Sequence, residues 1–239
     1  MTTQSLSGYN RFQKFKSLEF ILGVLLLGSI GLAVLFSGWL FPDGGTQINL
    51  AMRLTPPMTE LAYPLGTDPL GRDILARVII GSEISLKVGI YSSLGAVTLG
   101  IIMGLISGYY GGFIDALVMR FADVQLALPF ILLAITFIAV LGGGLTNMII
   151  LLVISQWVQY ARLVRGSVLS LKDREFILSA KAIGVKDIRI LFQHLLPNLI
   201  GPVIVLVTLN VANNILLESS LTFLGLGVDP IIPSWGGML

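Results

Sequence analysis

Residues 86–110 read LKVGIYSSLGAVTLGIIMGLISGYY, and their only charged side chain is Lys87. An α-helix rises 1.5 Å per residue, so a helix of about 25 residues is roughly 37 Å long. That length crosses the hydrocarbon core of a bilayer, which is roughly 30 Å thick. The stretch therefore predicts a transmembrane helix.

Four further apolar stretches have the same character, at residues 18–41, 124–141, 147–163 and 199–217. Lipid offers no hydrogen bonds, so each segment must satisfy its backbone polar groups internally, as a helix. The first stretch follows Arg11, Lys14 and Lys16 but exceeds the roughly 7–15 apolar residues of a signal peptide. The sequence predicts an all-α, polytopic transmembrane helical bundle with about five spans, the first of them a retained anchor helix.

The composition leads to the same class of protein. Of 239 residues, 55% are hydrophobic and 12% are charged, about half the roughly 25% that is usual in soluble domains. The chain has no cysteine and one histidine, which excludes a thiolate metal site and gives no basis for predicting a metal. The net charge is only +2 and the basic residues are clustered, so they indicate membrane topology and no nucleic-acid partner.

The distribution of Lys and Arg orients the helices. With the N-terminus inside, eleven basic residues lie on the cytoplasmic side and four, Arg53, Arg72, Arg77 and Lys87, lie outside. The positive-inside rule therefore predicts a cytoplasmic N-terminus. The resulting organisation is a cytoplasmic tail at 1–17, the anchor helix at 18–41, an external loop at 42–85, and a core domain at 86–239 whose large cytoplasmic loop is 165–197.

The cytoplasmic loop predicts two short helices. Phe176, Ile177, Ala180 and Ile183 recur at helical spacing, and Gly184 can end that helix with a left-handed cap. A second helix can begin at Asp187, with Ile188, Leu191, Phe192 and Leu195 on its apolar face. Such a hairpin suits a groove on another protein, or the surface of a membrane, and the spacing alone leaves both open.

No energy source is encoded in the chain. The sequence contains no phosphate-binding loop of the form G-x-x-x-x-G-K-[ST], no metal cluster and no catalytic triad. The predicted spans also contain almost no ionisable residues, which counts against a self-sufficient ion-coupled carrier or channel. We therefore expect no enzymatic activity. A membrane scaffold without transport is a further alternative.

Residues 178–197 resemble the EAA coupling loop of binding-protein-dependent ABC importer permeases. The family pattern is Glu-Ala-Ala, three residues, Gly, nine residues, then Ile-x-Leu-Pro. Ala180, Gly184 and Pro197 match, whereas Leu178 replaces the Glu, Ser179 the first Ala and His194 the Ile. The resemblance implies an ATPase-coupling loop made by Glu175, Phe176, Ser179, Ala180, Gly184, Val185, His194 and Pro197.

Three other segments resemble the C-type subunit of the dipeptide/oligopeptide/nickel permease family: GTDPLGRD at 66–73, WVQYARLVRG at 157–166 and SLTFLGLG at 220–227. The resemblance implies a non-catalytic permease that works by alternating access in a bacterial or archaeal cytoplasmic (inner) membrane. Its cargo would be di- or oligopeptides, with nickel, metal chelates or glutathione as alternatives. Family members have a sixth helix after the Ser234-Trp235-Gly236 stretch, so we expect this chain to be C-terminally truncated.

The same resemblance implies a set of partners. These are a related second permease that forms a heterodimer with this chain, two ATPase subunits, an external solute-binding protein and the lipid bilayer. The ATPase subunits would bind ATP and Mg, so no cofactor is expected in this chain.

Two sets of residues within the spans predict contacts at membrane depth. Gly100, Gly104 and Gly108 form a small-residue strip that permits close helix packing, within the chain or against the second permease. Asn210, Asn213, Asn214 and Glu218 share one face of the last span, with Gln156 and Gln159 as weaker candidates nearby. Polar groups at this depth face protein or water, so the face lines a translocation path or bonds to neighbouring helices.

Overall fold

A computed structural model describes residues 18–229 and 231–238, so the predicted tail at 1–17 lies outside the described residues. The helices, in chain order, are α1 (Leu18–Leu35), α2 (Ser37–Leu40), α3 (Ile74–Tyr110), α4 (Gly112–Ala127), α5 (Phe130–Leu141), α6 (Leu145–Leu171), α7 (Glu175–Ala182), α8 (Asp187–Arg189) and α9 (Leu196–Phe223). Short 3₁₀ turns lie at Leu50–Met52 and Gly236–Met238, and a π-helical turn at Ile190–Leu195 joins α8 to α9. The described residues contain no strand, which confirms the all-α class.

Four helical segments are long and apolar enough to cross a membrane: α1, α3, α6 and the continuous stretch Asp187–Phe223. The pair α4 and α5 adds a fifth if the two helices together form one span. The predicted number of spans is therefore confirmed.

The predicted boundaries differ from the observed ones in two ways. Helix α3 begins at Ile74 rather than near residue 86, so the loop predicted at 42–85 contains the first turns of this helix. Helix α6 likewise continues to Leu171, well beyond residue 163. Hydropathy marks only the apolar part of a helix, and charged turns such as the Glu83–Lys87 pair, 2.6 Å apart, extend beyond it.

The span predicted at 124–141 is not one continuous helix. Helix α4 ends at Ala127, α5 begins at Phe130, and the two helices are bent by 94°. Pro129 has no backbone N–H to donate and disfavours helical geometry in the residue before it. Leu128 accordingly adopts an extended conformation, with φ −88° and ψ 126°.

The described residues up to Ser82 form one compact unit and those from Glu83 form another. In the first unit, Asp68 organises the GTDPLGRD segment. Its carboxylate accepts hydrogen bonds from the backbone N–H of Leu70 (2.8 Å) and of Arg72 (3.0 Å), and from Arg72 Nε (2.6 Å). Burial alone would raise the pKa of Asp68, but these bonds outweigh it and hold the pKa below its ordinary value.

In the second unit, α6 provides the centre of the core. Its fully buried side chains include Leu151, Leu152, Tyr160, Val164 and Val168. The small-residue strip of α3 lies against this helix, with Gly100 beside Tyr160, Gly104 beside Val164 and Gly108 beside Val168. The strip thus brings two helix backbones together within one chain.

We predict that Gly104→Ala destabilises the protein although alanine favours helices. An added Cβ would lie 2.6 Å from the carbonyl oxygen of Ala161 and 2.7 Å from Val164 Cβ, so the helices must separate. Overpacking of this kind costs about 1–3 kcal/mol, which thermal unfolding in detergent would reveal.

Gly166→Ala is the matched control for this substitution. Gly166 is an exposed helical glycine of α6, and nothing lies within 4 Å of an added Cβ. Alanine there should be neutral or stabilise by about 0.5–1 kcal/mol. Equal effects of the two substitutions would contradict the packing role of Gly104.

Candidate functional site

A helical hairpin at residues 172–195 connects the end of α6 to the start of α9. Its first arm is α7, its turn is Ile183–Lys186, and its second arm is α8 with the π-helical turn at Ile190–Leu195. The turn is a Schellman motif, because Val185 N–H donates to Ala180 O (3.0 Å) and Gly184 N–H donates to Lys181 O (3.0 Å). Gly184 has a φ of +78°, which is the left-handed cap predicted from the sequence.

Only part of the hairpin's apolar surface is buried. Ile177 and Ala180 of α7 lie in a core cluster with Ile190, Leu195 and Leu199. The sequence grouped Phe176 and Ile183 with them on one apolar face, but the structure leaves these two side chains 44% and 81% exposed. With only two turns, α7 can bury one narrow stripe of side chains.

The second arm of the hairpin shows a similar division. Of the four residues that the sequence places on one apolar face, Leu191 and Leu195 are buried, whereas Ile188 and Phe192 are more than half exposed. The π-helical turn at Ile190–Leu195 has more residues per turn than an α-helix, which shifts the side chains within it and after it, Phe192 included, from α-helical register. Ile183 and Ile188 therefore add to an apolar surface that projects from a hairpin anchored by its other face.

The remaining residues of the predicted coupling loop lie along the same hairpin. Glu175 begins α7 and Pro197 is the second residue of α9. Both are exposed, as are Ser179 and Gly184, while Val185 and His194 are half-buried. The exposed members thus share the outward side of the hairpin with Phe176 and Ile183.

Tyr109, near the end of α3, links both arms of the hairpin. Its hydroxyl donates to Asp187 Oδ1 at 2.6 Å, and Lys181 Nζ lies 4.9 Å from the centre of its ring. The first contact is a charge-assisted hydrogen bond and the second is a cation–π contact. The sequence analysis did not identify this residue, because the two contacts join positions far apart in the chain.

A second polar cluster connects the neighbouring helix ends. Arg165 of α6 donates from Nη2 to Asp115 Oδ2 of α4 at 2.6 Å, and its Nε also donates to Oδ1. Ser107 of α3 donates to the same carboxylate. These bonds hold α3, α4 and α6 together at the end of the unit that leads into the hairpin.

Within the spans, three of the four residues predicted as the polar face of α9 hold helices together. Asn214 is fully buried, donates to Ser92 Oγ (2.8 Å) and Ser93 Oγ (3.0 Å), and accepts a bond from Gln156 Nε2. Glu218, also fully buried, accepts bonds from Ser85 Oγ (2.9 Å) and Thr222 Oγ1 (2.9 Å). Asn210 donates to Gln159 Oε1 at 3.3 Å.

Asn213, the fourth polar residue, is exposed and borders a groove with a volume of about 260 Å³. We call this the amide groove and define it by Gln125, Ser155, Gln156, Gln159 and Asn213. The structure thus brings Gln156 and Asn213 to one surface and places Asn210, Asn214 and Glu218 in interhelical contacts. Gln125 was missed by the sequence analysis, which did not deduce the break that Pro129 causes four residues later.

The long apolar helices and their exposed apolar side chains define an integral membrane protein. Residues 96–239 match the family described as binding-protein-dependent transport system inner membrane component. The chain belongs to this family, which confirms the resemblance found in its sequence.

The relatives of this chain are permeases of known transport systems. It is 43% identical to the dipeptide transport system permease protein of Alkalihalophilus pseudofirmus over 219 residues, which are 92% of this chain and 71% of the relative. It is 38% identical to the oligopeptide transport system permease protein of Bacillus subtilis over 218 residues, 91% of this chain and 71% of that protein. It is also 43% identical to the glutathione transport system permease protein of Pectobacterium atrosepticum over 178 residues, but these are only 59% of that relative and 74% of this chain.

We predict that Tyr109→Phe loosens the hairpin without unfolding the protein. The substitution removes the bond to Asp187 and keeps the ring beneath Lys181. Loss of one such bond should speed amide hydrogen exchange at residues 181–189 roughly two- to tenfold. Tyr110→Phe is the matched control, because Tyr110 is exposed and contacts Tyr109 through its ring. If the two variants exchange amide hydrogens at the same rate, the hydrogen bond from Tyr109 to Asp187 does not hold the hairpin in place.

Proposed function

We propose that this chain is a permease subunit of an ATP-driven ABC importer that moves di- or oligopeptides across the cytoplasmic membrane by alternating access. The observation that carries the proposal is the hairpin at residues 172–195, which combines an anchored inner face with an exposed apolar outer face. Its relatives named for dipeptide and oligopeptide transport support peptides as the cargo.

The outer face of the hairpin is suited to a groove on an ATPase subunit. Phe176, Ile183 and Ile188 are 44%, 81% and 60% exposed, and removing apolar surface from water contributes roughly 25 cal/mol per Å². The inner face and the Tyr109 contacts hold the hairpin against the helices, so a force applied by the ATPase would reach them. Exposed Glu175 and Ser179 and half-buried His194 would supply polar contacts at the edge of this surface.

The proposed assembly contains a related second permease, two ATPase subunits and an external solute-binding protein. In this assembly the chain has no catalytic role and no cofactor of its own, because ATP and Mg are bound by the ATPase subunits. The hairpin and the N-terminus are cytoplasmic, in agreement with the concentration of Lys and Arg around residues 162–189.

Glutathione is a second candidate cargo. The glutathione transport system permease protein is as similar in identity, 43%, as the dipeptide relative, although the match covers less of both chains. Glutathione is itself a small peptide, so one site chemistry could serve either cargo.

We predict that Gly184→Asp uncouples ATP hydrolysis from transport in the assembled importer. Aspartate tolerates a positive φ better than most residues, and nothing lies within 4 Å of an added Cβ, so the hairpin should fold. The new charge would project toward the ATPase and prevent docking. Transport should fall at least about tenfold while the ATPase subunits continue to hydrolyse ATP, the loss expected when a buried contact is replaced by an unpaired charge.

Gly225→Asp controls for the backbone cost of the same substitution. Gly225 also has a positive φ, +75°, and open space around its Cβ, and it ends α9 in the same Schellman motif, with Leu226 N–H donating to Leu221 O and Gly225 N–H to Thr222 O. It lies about 40 Å from the hairpin along α9, by the rise of 1.5 Å per residue. Transport by Gly184→Asp at the level of Gly225→Asp would refute the coupling role.

The cargo is tested by uptake of a labelled dipeptide in cells that lack this subunit and in the same cells complemented with it. We expect uptake to disappear on deletion and to return on complementation. If dipeptide uptake is unaffected while glutathione uptake follows the subunit, glutathione is the cargo. If neither follows the subunit, the peptide proposal fails.

A further inference from the structure

We propose that the amide groove binds the neutral backbone amides of a peptide in transit, through Asn213 and Gln159 held beside Gln125. This inference rests on the proposed function. It assigns the groove a ligand chemistry and separates the residues that contact cargo from those that hold the helices together. It concerns the backbone that all peptides share, and not their side chains or charged ends.

The groove lies where a membrane-spanning helix is broken. Gln125 is in the last turn of α4, and the 94° bend between α4 and α5 follows it at Leu128 and Pro129. Leu128 and Phe130, on either side of Pro129, border the groove. Non-helical backbone at membrane depth is tolerated only where it is buried in protein or lines a cavity. Broken helices of this kind mark ligand sites in other transporters.

Gln125 is fixed in place by contacts to α6. Its Nε2 donates to the carbonyl oxygen of Ser155 at 2.9 Å, and its Oε1 accepts a bond from Trp157 Nε1 at 2.7 Å. One N–H of the amide is not used by these two bonds. The groove therefore has a rigid polar wall on the side of the break.

Other amide groups that line the groove have unused bonding capacity. The side chain of Asn213 makes no hydrogen bond to any other residue within 18–229 and 231–238, and Gln159 uses only its Oε1, as the acceptor for Asn210. Gln156 is only 3% exposed and borders the groove, and its Oε1 has no hydrogen-bond partner in the described part of the chain. This oxygen is itself buried, so the exposed side chains of Asn213 and Gln159 offer the amide groups that a ligand in the groove can reach.

The chemistry of the walls selects for a neutral, hydrogen-bonding ligand. No charged residue lines the groove among the described residues. A primary amide both donates and accepts, so Asn and Gln can pair with either the N–H or the C=O of a peptide bond. Leu126, Phe130 and Leu217 provide apolar surface for cargo side chains of many kinds. A carboxylate, an ammonium group or a cationic metal chelate would find no counter-charge.

Asn213 and Asn214 are adjacent in the chain and allow a test of this separation between cargo contact and helix packing. Asn214 is fully buried and bonded to Ser92, Ser93 and Gln156, whereas Asn213 is exposed to the groove. Replacing Asn214 should destabilise the helix packing, and replacing Asn213 should alter only the handling of cargo. Asn213→Gln keeps the amide, and Thr208→Val changes an exposed position elsewhere on α9 as a control.

The experiment uses the full importer in lipid vesicles, with binding protein preloaded with labelled trialanine or with trialanine methylated on its central nitrogen. Methylation removes one backbone N–H and leaves the charges unchanged. Selectivity of the binding protein is the same for every variant, so it cancels when the ratio of the two translocation rates is compared between variants.

We expect Asn213→Leu to slow trialanine about fivefold, the effect of one lost hydrogen bond, and to slow the methylated peptide much less. Asn213→Gln and Thr208→Val should keep the ratio of the wild-type importer. Asn214→Leu should lower thermal stability and slow both peptides equally. If Asn213→Leu slows both peptides equally, or slows neither, the backbone site is overturned. If the wild-type importer moves neither peptide on addition of ATP, the proposed function fails instead.

Discussion

The absence of hydrogen-bonding solvent in the bilayer is the constraint on which this structure depends. It makes every span a helix, because only a helix satisfies its backbone within one segment. It also explains why the polar residues of α9 are distributed as they are. Asn214 and Glu218 find partners on α3, on α6 or within α9, whereas Asn213, whose side chain has no hydrogen-bond partner among the described residues, opens onto a groove. The polar groups are thus sorted into helix contacts and a single exposed amide surface.

The hairpin differs from the spans, because it lies outside the apolar segments, at the polar end of the helices in this unit. One stripe of its apolar residues, including Ile177 and Ala180, completes the core, while Ile183 and Ile188 remain outside it. The Schellman turn at Gly184 fixes the angle between its arms without any contribution from a side chain. A segment with a rigid turn, a buried face and an exposed apolar face suits the coupling role that we propose for it.

The sequence predicted the helical class, the number of spans and the left-handed cap because each has a local signal. Apolar length marks a span, and a glycine after helical spacing marks a cap. It failed where the outcome depended on geometry between helices. Pro129 was visible, but its consequence, a 94° bend, was not deduced from an uninterrupted apolar run. The π-helical turn at Ile190–Leu195 left no signal in the residue pattern, and the pattern did not separate buried Leu191 and Leu195 from exposed Ile188 and Phe192 on the predicted apolar face.

The site was predictable to a similar extent. The polar face of α9 was recognised from its spacing, but the different environments of Asn213 and Asn214 follow from the positions of α3 and α6. Gln125 was not recognised, because its importance depends on the bend that follows it. Pairs such as Tyr109 and Asp187 join residues far apart in the chain, and a single sequence contains no information on them.

The glycine strip on α3 has a mechanical consequence. Helices that meet through long side chains can slide past each other, because their side chains change rotamer as they move. At Gly104 and Gly108 the backbone of α3 faces Ala161 and Val168 with no flexible layer between. These two helices must therefore travel together as one rigid body. Within this unit, α4 is also tied to α6 through Asp115 and Gln125, so the break at Leu128 and Pro129, which lacks continuous helical bonding, is the place where α5 can turn relative to α4.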